Sequence, residues 1–309
     1  PGKNWNMAWL GLQPGATIIL EFDGCEKRLT KATNSNEKKG LSSLGEKVPI
    51  FEGKEAVSGI VTILVSPGKK LEHLGIKIEM IGQIELYNDK GSHKKFSSLV
   101  RELDSANVLI GNRQFLFDFS NMEKPYDSYN GLNVRLKYLV RVTITRNYGS
   151  IAKDFEFAVQ NIEKEDPAVN PSLKMEVGIE ECLHIEFEYD KSKYHLKDVI
   201  IGKIYFLLVR IKIKHMEFAV VRREAAGTGP SVYNESETVI KYEVMDGVPV
   251  KGECVPLRLF LRPYNLTPSY RSIDEKFSVR YYLNLVLVDE EDRRYFKQQE
   301  VTFWRKELE

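Results

Sequence analysis

Along most of the chain hydrophobic residues recur at every second position, the spacing of strands that bury one face and wet the other. Ile76, Ile78 and Met80 alternate with Lys77 and Glu79, and Phe115, Phe117 and Phe119 repeat the pattern. Val134, Leu136, Tyr138, Val140, Val142 and Ile144 form a longer run, and Leu183, Ile185, Phe187 and Tyr189 alternate with His184, Glu186 and Glu188. Val209, Ile211 and Ile213 alternate with Arg210, Lys212 and Lys214 and predict one strand; Tyr281, Leu283, Leu285 and Leu287 predict the last long one. Turn chemistry separates the runs at Ser66-Pro67-Gly68, Asn88-Asp89-Lys90-Gly91, Gly227-Thr228-Gly229-Pro230 and Asp246-Gly247. One stretch, Ser97 to Leu103, predicts a turn or two of helix over a sheet edge, because Leu99 and Leu103 stand four apart. A parallel α/β fold needs helices between its strands; the pattern predicts all-β sandwiches instead.

The pattern also repeats. Val57 to Val61 followed by Ile76 to Met80 matches Val199 to Ile204 followed by Ile211 to Met216, and Val134 to Leu139 matches Val279 to Asn284. Gly59 precedes Arg135 by nearly the same interval as Gly202 precedes Arg280, so order and spacing together imply two copies of one sandwich. Between them, Gln160 to Ser172 holds Pro167, Pro171 and a charge cluster without alternation, as a linker does. The expected division is a lobe at 1–160, a linker at 161–172 and a lobe at 173–309. A polar stretch from Thr30 to Lys47 predicts a mobile loop inside the first lobe.

Length agrees with two lobes: 309 residues exceed what one core comfortably holds. With 45 Lys plus Arg against 44 Asp plus Glu, both signs interspersed, no basic field exists to attract phosphate backbones, which argues against nucleic acid as a partner. No clustered polybasic segment points to direct membrane contact. Cys25, Cys182 and Cys254 are too few and too far apart for a disulfide framework or zinc knuckle, so a reducing, cytoplasmic compartment is expected. No run approaches the roughly 18 apolar residues of a membrane span.

Candidate chemistry is thin. Gly40 to Lys47 resembles a phosphate-binding loop, but Glu46 stands where that loop needs Lys. His184 and Glu186 share one face of a strand and could ligate a metal, yet no third ligand has recognisable spacing, and a solvent-facing polar face accounts for both; no metal site is assigned. Cys182 alternates onto the same face without a base beside it, and Cys25 and Cys254 read as small packing residues. No catalytic residues and no cofactor are assigned. Glu290 to Arg294 is read as a solvated hairpin turn with compensating charges. Val244 and Met245 stand directly before Asp246-Gly247: folded under, they are lip-of-core residues; exposed, they are an apolar anchor for a partner, and the pattern alone does not separate the two.

Longer matches carry a resemblance. MEVGIEECLHIEFEY at 175–189, KSKYHLKD at 191–198, GKIYFLLVRIKI at 202–213, FSVRY at 277–281 and NLVLVDEEDRRYFKQQ at 284–299 resemble the vacuolar protein sorting-associated protein 26 family. In the first lobe LEH at 71–73, GQIEL at 82–86, EKPY at 123–126 and NVRL at 133–136 fit the same family, whose members are arrestin-like subunits of the retromer coat. The resemblance implies two tandem arrestin-like β-sandwiches and a non-enzymatic adaptor, peripheral on the cytosolic face of endosomes. It implies an α-solenoid subunit bound through Val244, Met245, Asp246 and Gly247, which favours the anchor reading. It implies cargo tails bound together with a sorting nexin at Val177 and Phe296, and a PDZ-bearing nexin at Glu52, where the family more often has Asp. It also admits a homodimer within the coat. The alternative is an arrestin-type adaptor that reads phosphorylated receptor tails through Lys and Arg.

Overall fold

The computed structural model describes residues 15–28, 30–32, 47–87, 93–163, 170–179 and 181–306, with 31 and 32 as backbone only. The phosphate-loop lookalike, the Asn88 to Gly91 turn and much of the polar loop and linker stretches lie outside the described residues. The chain forms two compact units, one running to Asn130 and over Arg135–Asn161, the other comprising Gly131–Val134 and the residues from Ile162.

The first unit holds β1 (Ala16–Phe22), β2 (Thr30–Ala32), β3 (Lys47–Glu52), β4 (Val57–Val65), β5 (Lys70–Leu86), β6 (His93–Ile110), β7 (Arg113–Phe119), β8 (Tyr129–Asn130), β9 (Val134–Thr145) and β10 (Ser150–Gln160). One sheet runs β1-β4-β7; the other runs β2-β3-β10-β9-β5-β6, with β8 beside β9. The second unit holds β11 (Leu173–Ile179), β12 (Leu183–Tyr189), β13 (Lys193–His195), β14 (Val199–Val209), β15 (Ile213–Thr228), β16 (Ser231–Asp246), β17 (Cys254–Phe260), β18 (Tyr270–Ile273), β19 (Phe277–Asp289) and β20 (Arg294–Trp304). Its sheets run β11-β12-β14-β17 and β13-β20-β19-β15-β16, with β18 beside β19.

The larger sheets have the same order: β3-β10-β9-β5-β6 in one unit, β13-β20-β19-β15-β16 in the other. Each contains one parallel pair at the same place, β3 with β10 and β13 with β20, among antiparallel neighbours. The smaller sheets match too, β1-β4-β7 against β12-β14-β17. The fold is therefore all-β and duplicated, as the repeat predicts.

One glycine in each unit marks the equivalence. Gly59 in β4 lies opposite Phe22, and Gly202 in β14 lies opposite Tyr189. A Cβ on Gly59 would stand 2.1 Å from the Glu21 carbonyl oxygen, and one on Gly202 would stand 2.9 Å from the Glu188 carbonyl oxygen. The neighbouring strand crosses too closely for a side chain there.

Alternation fixes what each strand buries. In β4, Val57, Val61, Ile63 and Val65 face the core, and in β19, Val279, Tyr281, Leu283, Leu285 and Leu287 do so. In the first unit Phe22, Phe51 and Phe157 meet edge to face, with centroids 5.2–5.8 Å apart. In the second, Tyr281 and Phe303 lie 4.7 Å apart. Such contacts add specificity to burial that already contributes about 25 cal/mol per Å².

Three expectations are corrected. Ser97 to Leu103 is no helix; it lies within β6, paired along β5 with Met80 opposite Leu99. A spacing of four puts two residues on one face in a strand as well as in a helix, and the partner strand decides between them. Val209 and Ile213 belong to different strands, because the chain turns at 210–212 between β14 and β15. Val209 and Ile211 are half-buried and Ile213 is buried, so an apolar residue at every second position continues across the corner without marking it. Cys25 and Cys254 are exposed free thiols instead of packing residues, Cys25 in a short 3-10 turn and Cys254 at the start of β17.

Candidate interaction surfaces

Val244 and Met245 lie at the end of β16, an edge strand, and not on a loop. Register explains their orientation. Met216 pairs with Met245 and Glu217 with Glu243, so Val244 is the extra residue of a β-bulge. A regular strand would direct successive side chains to opposite faces; the bulge re-aims one of them, and both Val244 and Met245 end half-buried. Asp246 is exposed opposite His215. Gly247 takes φ +100°, which a side chain would strain, and its N–H donates to the Lys214 carbonyl at 2.8 Å. Beyond the turn Val248 and Val250 stand 57% and 66% exposed and extend the apolar surface. Behind it Glu217 bonds Lys241 at 3.0 Å. Burial opposes ionisation of Glu217, but the Lys241 contact outweighs it and holds the carboxyl below its usual range.

Val177 and Phe296 occupy different sheets of the second unit, Val177 on an edge strand and Phe296 on a strand that its outer neighbour covers only in part. Val177 is half-buried in β11 opposite Ile185, and β11 ends its sheet. Phe296, opposite Val286 in β20, is 64% exposed. Strand β13 covers β20 only at Thr302–Trp304, so among the described residues Arg294 to Val301 have a strand neighbour on one side only. Two open edges, one beside an exposed aromatic ring, suit capture of an extended peptide by strand addition.

Next to Phe296, the Glu290 to Arg294 run is the predicted hairpin turn, and Asp289 organises it. Asp289 accepts backbone N–H bonds from Glu291 (3.0 Å) and Arg293 (2.9 Å), a 2.7 Å bond from Arg293 Nε and a 2.9 Å bond from the Tyr295 hydroxyl. Only 2% of Asp289 is exposed, covered by its own hairpin. Burial alone would raise its pKa; the hydrogen bonds and the Arg293 charge outweigh that and bring it down to about 2. Lys212 and Lys214 pair with Glu290 and Asp292 outside the turn.

Glu52 ends β3 in the first unit, half-buried. Its N–H donates to Glu55 Oε2 at 3.2 Å, and Glu55 pairs with Arg28 at 2.7 Å, whose guanidinium lies 4.0 Å over the Phe51 ring. A Cβ on Gly53 would fall 1.8 Å from Asn161 Oδ1, so the turn requires glycine. Lys124, from EKPY, is buried beneath it and donates to the Glu55 carbonyl at 2.5 Å. Burial lowers the Lys124 pKa and nearby Glu55 partly restores it. Sequence reasoning quoted Lys124 within a motif but did not foresee its burial; a lysine inside a turn-rich segment gives no periodic signal. Glu52 thus ends its strand, half-buried, at an internally bonded turn.

His184 and Glu186 lie on the solvent side of β12, opposite the buried Leu183, Ile185 and Phe187. The structure adds what spacing could not show: Glu176 of β11 stands directly opposite Glu186. Cys182 is half-buried in the turn between the two strands. Beside them a groove of about 560 Å³ opens on the sheet surface, lined by Lys174, Glu176, Glu186, Glu188 and Tyr205 among others. Neither Val177 nor Phe296 lines it.

Two β-sandwiches in tandem, with the larger sheet in matched order and one parallel pair in each, make this an arrestin-like protein. No helix among the described residues is long and apolar enough to cross a membrane. The model of the family Vacuolar protein sorting-associated protein 26 matches residues 12–292, and the chain belongs to that family. It is 58% identical over 291 residues to Vacuolar protein sorting-associated protein 26 of Dictyostelium discoideum, covering 94% of this chain and 82% of that protein. It is 56% identical over 290 residues to Vacuolar protein sorting-associated protein 26B of Homo sapiens, covering 94% and 84%. With Vacuolar protein sorting-associated protein 26B-B of Xenopus laevis the identity is 55% over 302 residues, covering 97% and 88%.

Proposed function

We propose that this chain is the arrestin-like subunit of the retromer coat, a non-enzymatic adaptor that sorts membrane cargo from the cytosolic face of endosomes. Identity above half along both units to vacuolar protein sorting proteins carries the reading. In it, Val244, Met245, Asp246 and Gly247 meet the α-solenoid subunit. The bulge supports this, because two adjacent apolar side chains on an edge strand can enter a groove between helices while Gly247 turns the chain away. At about 25 cal/mol per Å², two such side chains contribute a few kcal/mol. Cargo tails add to an open edge near Val177 and Phe296 together with a sorting nexin, and Glu52 offers its carboxylate to a PDZ-bearing nexin. Membrane association is then indirect, through these partners, and a homodimer within the coat is compatible with it.

The test is binding of the solenoid subunit to the Val244→Asp, Met245→Asn double variant. Affinity should fall at least tenfold while the thermal melt retains its cooperative transition. Unchanged affinity in the folded variant would remove these residues from the contact.

A further inference from the structure

The outer face of the β11–β12 pair carries an arrangement that the adaptor role does not use. Glu176 and Glu186 face each other directly across the ladder, a placement that repels two like charges. One row along, Lys174 stands opposite Glu188 and pairs with it at 3.6 Å, the ordinary remedy. Among the described residues no lysine takes that role for Glu176 and Glu186. Their shared neighbour is His184, whose Nε2 lies 3.8 Å from Glu176 Oε2 and 3.8 Å from Glu186 Oε1. Opposite His184 the ladder has Gly178, so no side chain wedges between the imidazole and the carboxylates. One ligand atom from each of the three residues lies within 4.8 Å of the others.

We propose that Glu176, His184 and Glu186 form a binding site for a divalent late transition-metal ion, with Zn²⁺ as its probe. One imidazole nitrogen and two carboxylate oxygens are a ligand set that Zn²⁺ accepts, leaving a fourth position open. Metal–ligand bonds of about 2.0–2.2 Å in tetrahedral geometry put ligand atoms roughly 3.4 Å apart. The two separations from His184 exceed that by about 0.4 Å and the two carboxylate oxygens lie within 4.8 Å of each other, so χ rotations of the exposed glutamates must close the set around the half-buried imidazole. The ion neutralises the two facing carboxylates and ties β11, an edge strand held on one side only, to β12. The groove lined by Glu176 and Glu186 brings solvent or a partner's donor group to the open position. The imidazole distinguishes the site from an acidic patch, since Mg²⁺ and Ca²⁺ prefer all-oxygen ligation.

Isothermal titration of the full chain with Zn²⁺ in a non-chelating buffer tests this, with Mg²⁺ as the comparison ion. One Zn²⁺ per chain should bind, His184→Ala and Glu176→Gln should each weaken it at least tenfold, and Cys182→Ser should leave it unchanged. Excess Mg²⁺ should not displace the Zn²⁺. Glu176 is exposed, so the melt of Glu176→Gln without metal should match the wild type, and His184→Ala, at a half-buried position, should keep a single cooperative transition. Absence of stoichiometric binding, Zn²⁺ affinity unaltered in either variant, loss of binding in Cys182→Ser, or equal competition by Mg²⁺ would each overturn the site. None of these outcomes depends on solenoid binding, so the site and the adaptor reading fail separately.

Discussion

In the first unit the smaller sheet stops at β1; in the second, β12 takes the equivalent place and a further strand, β11, is laid outside it. Conversely β2 extends the larger sheet of the first unit past β3, while β13 ends its counterpart. The shared strands hold the buried rows and the close-approach glycines. The unshared strand β11 carries Val177 and Glu176, while Glu52, His184, Glu186, Val244, Met245 and Phe296 lie on shared strands. Duplication accounts for the core; the outward faces and edges of its strands, and the added strand β11, differ between the copies and leave room for partners or ions to act without disturbing the packing.

Three sets of substitutions would break or sharpen that comparison. The largest effect is expected at paired core positions: Phe51 of β3 and Tyr194 of β13 stand at the same step of the two parallel pairs, opposite Val159 and Phe303, and both are 0% exposed. Truncation of either to Ala should cost about 3–5 kcal/mol in urea unfolding. A cost below about 1 kcal/mol at one of them would mean that the positions are not equivalent.

The second effect is smaller. Gly59→Ala should destabilise by about 1–3 kcal/mol, and Gly202→Ala by less, because the opposing carbonyl is 2.1 Å from the added Cβ in the first case and 2.9 Å in the second. Thermal melts of the two variants give the order; the reverse order would contradict the register.

The smallest is confined to acid. The β9–β10 hairpin of the first unit closes on Gly149, at φ +79°, with Arg146 N–H bonded to its carbonyl at 3.1 Å. Its counterpart between β19 and β20 has a matching backbone bond, Asp289 N–H to the Arg293 carbonyl at 3.1 Å, and adds the Asp289 carboxylate. The folded pKa of Asp289 is depressed to about 2 against an ordinary value of 3.8. Its contribution is therefore fully present above about pH 4 and is lost as pH falls through 2. Urea unfolding at stepped pH should show stability dropping across that window, and Asp289→Asn should flatten the drop. An unchanged slope would remove Asp289 as its source.

The strands and their duplication were legible because alternation records which face is buried, and Gly59 and Gly202 stand at matched places in both copies. Alternation is blind to direction, so the corner at 210–212 passed unnoticed. It is blind to partners as well: Leu99 and Leu103 fitted a helix until β5 was seen beside them. The same blindness hid Glu176, which meets His184 and Glu186 only through cross-strand register. The bulge at Val244 was equally silent, since one extra residue in a ladder leaves no periodic trace when both neighbours are apolar. What sequence pattern conveys is the inside and outside of each strand; sites built across strands depend on registers it does not carry.

The two parallel pairs impose a schedule on folding. Strand β3 cannot pair with β10, nor β13 with β20, until the last strand of each unit exists, roughly a hundred residues later. At about 5–20 residues per second of synthesis, the edge of each early strand that faces the last one waits roughly 5–20 s unpaired. Closing so long a loop also carries a high entropic cost before any contact rewards it. Each unit is thus kinetically incomplete until its final strand is made, and the nascent chain passes twice through an interval in which an unpaired edge invites aggregation and a chaperone has most to protect.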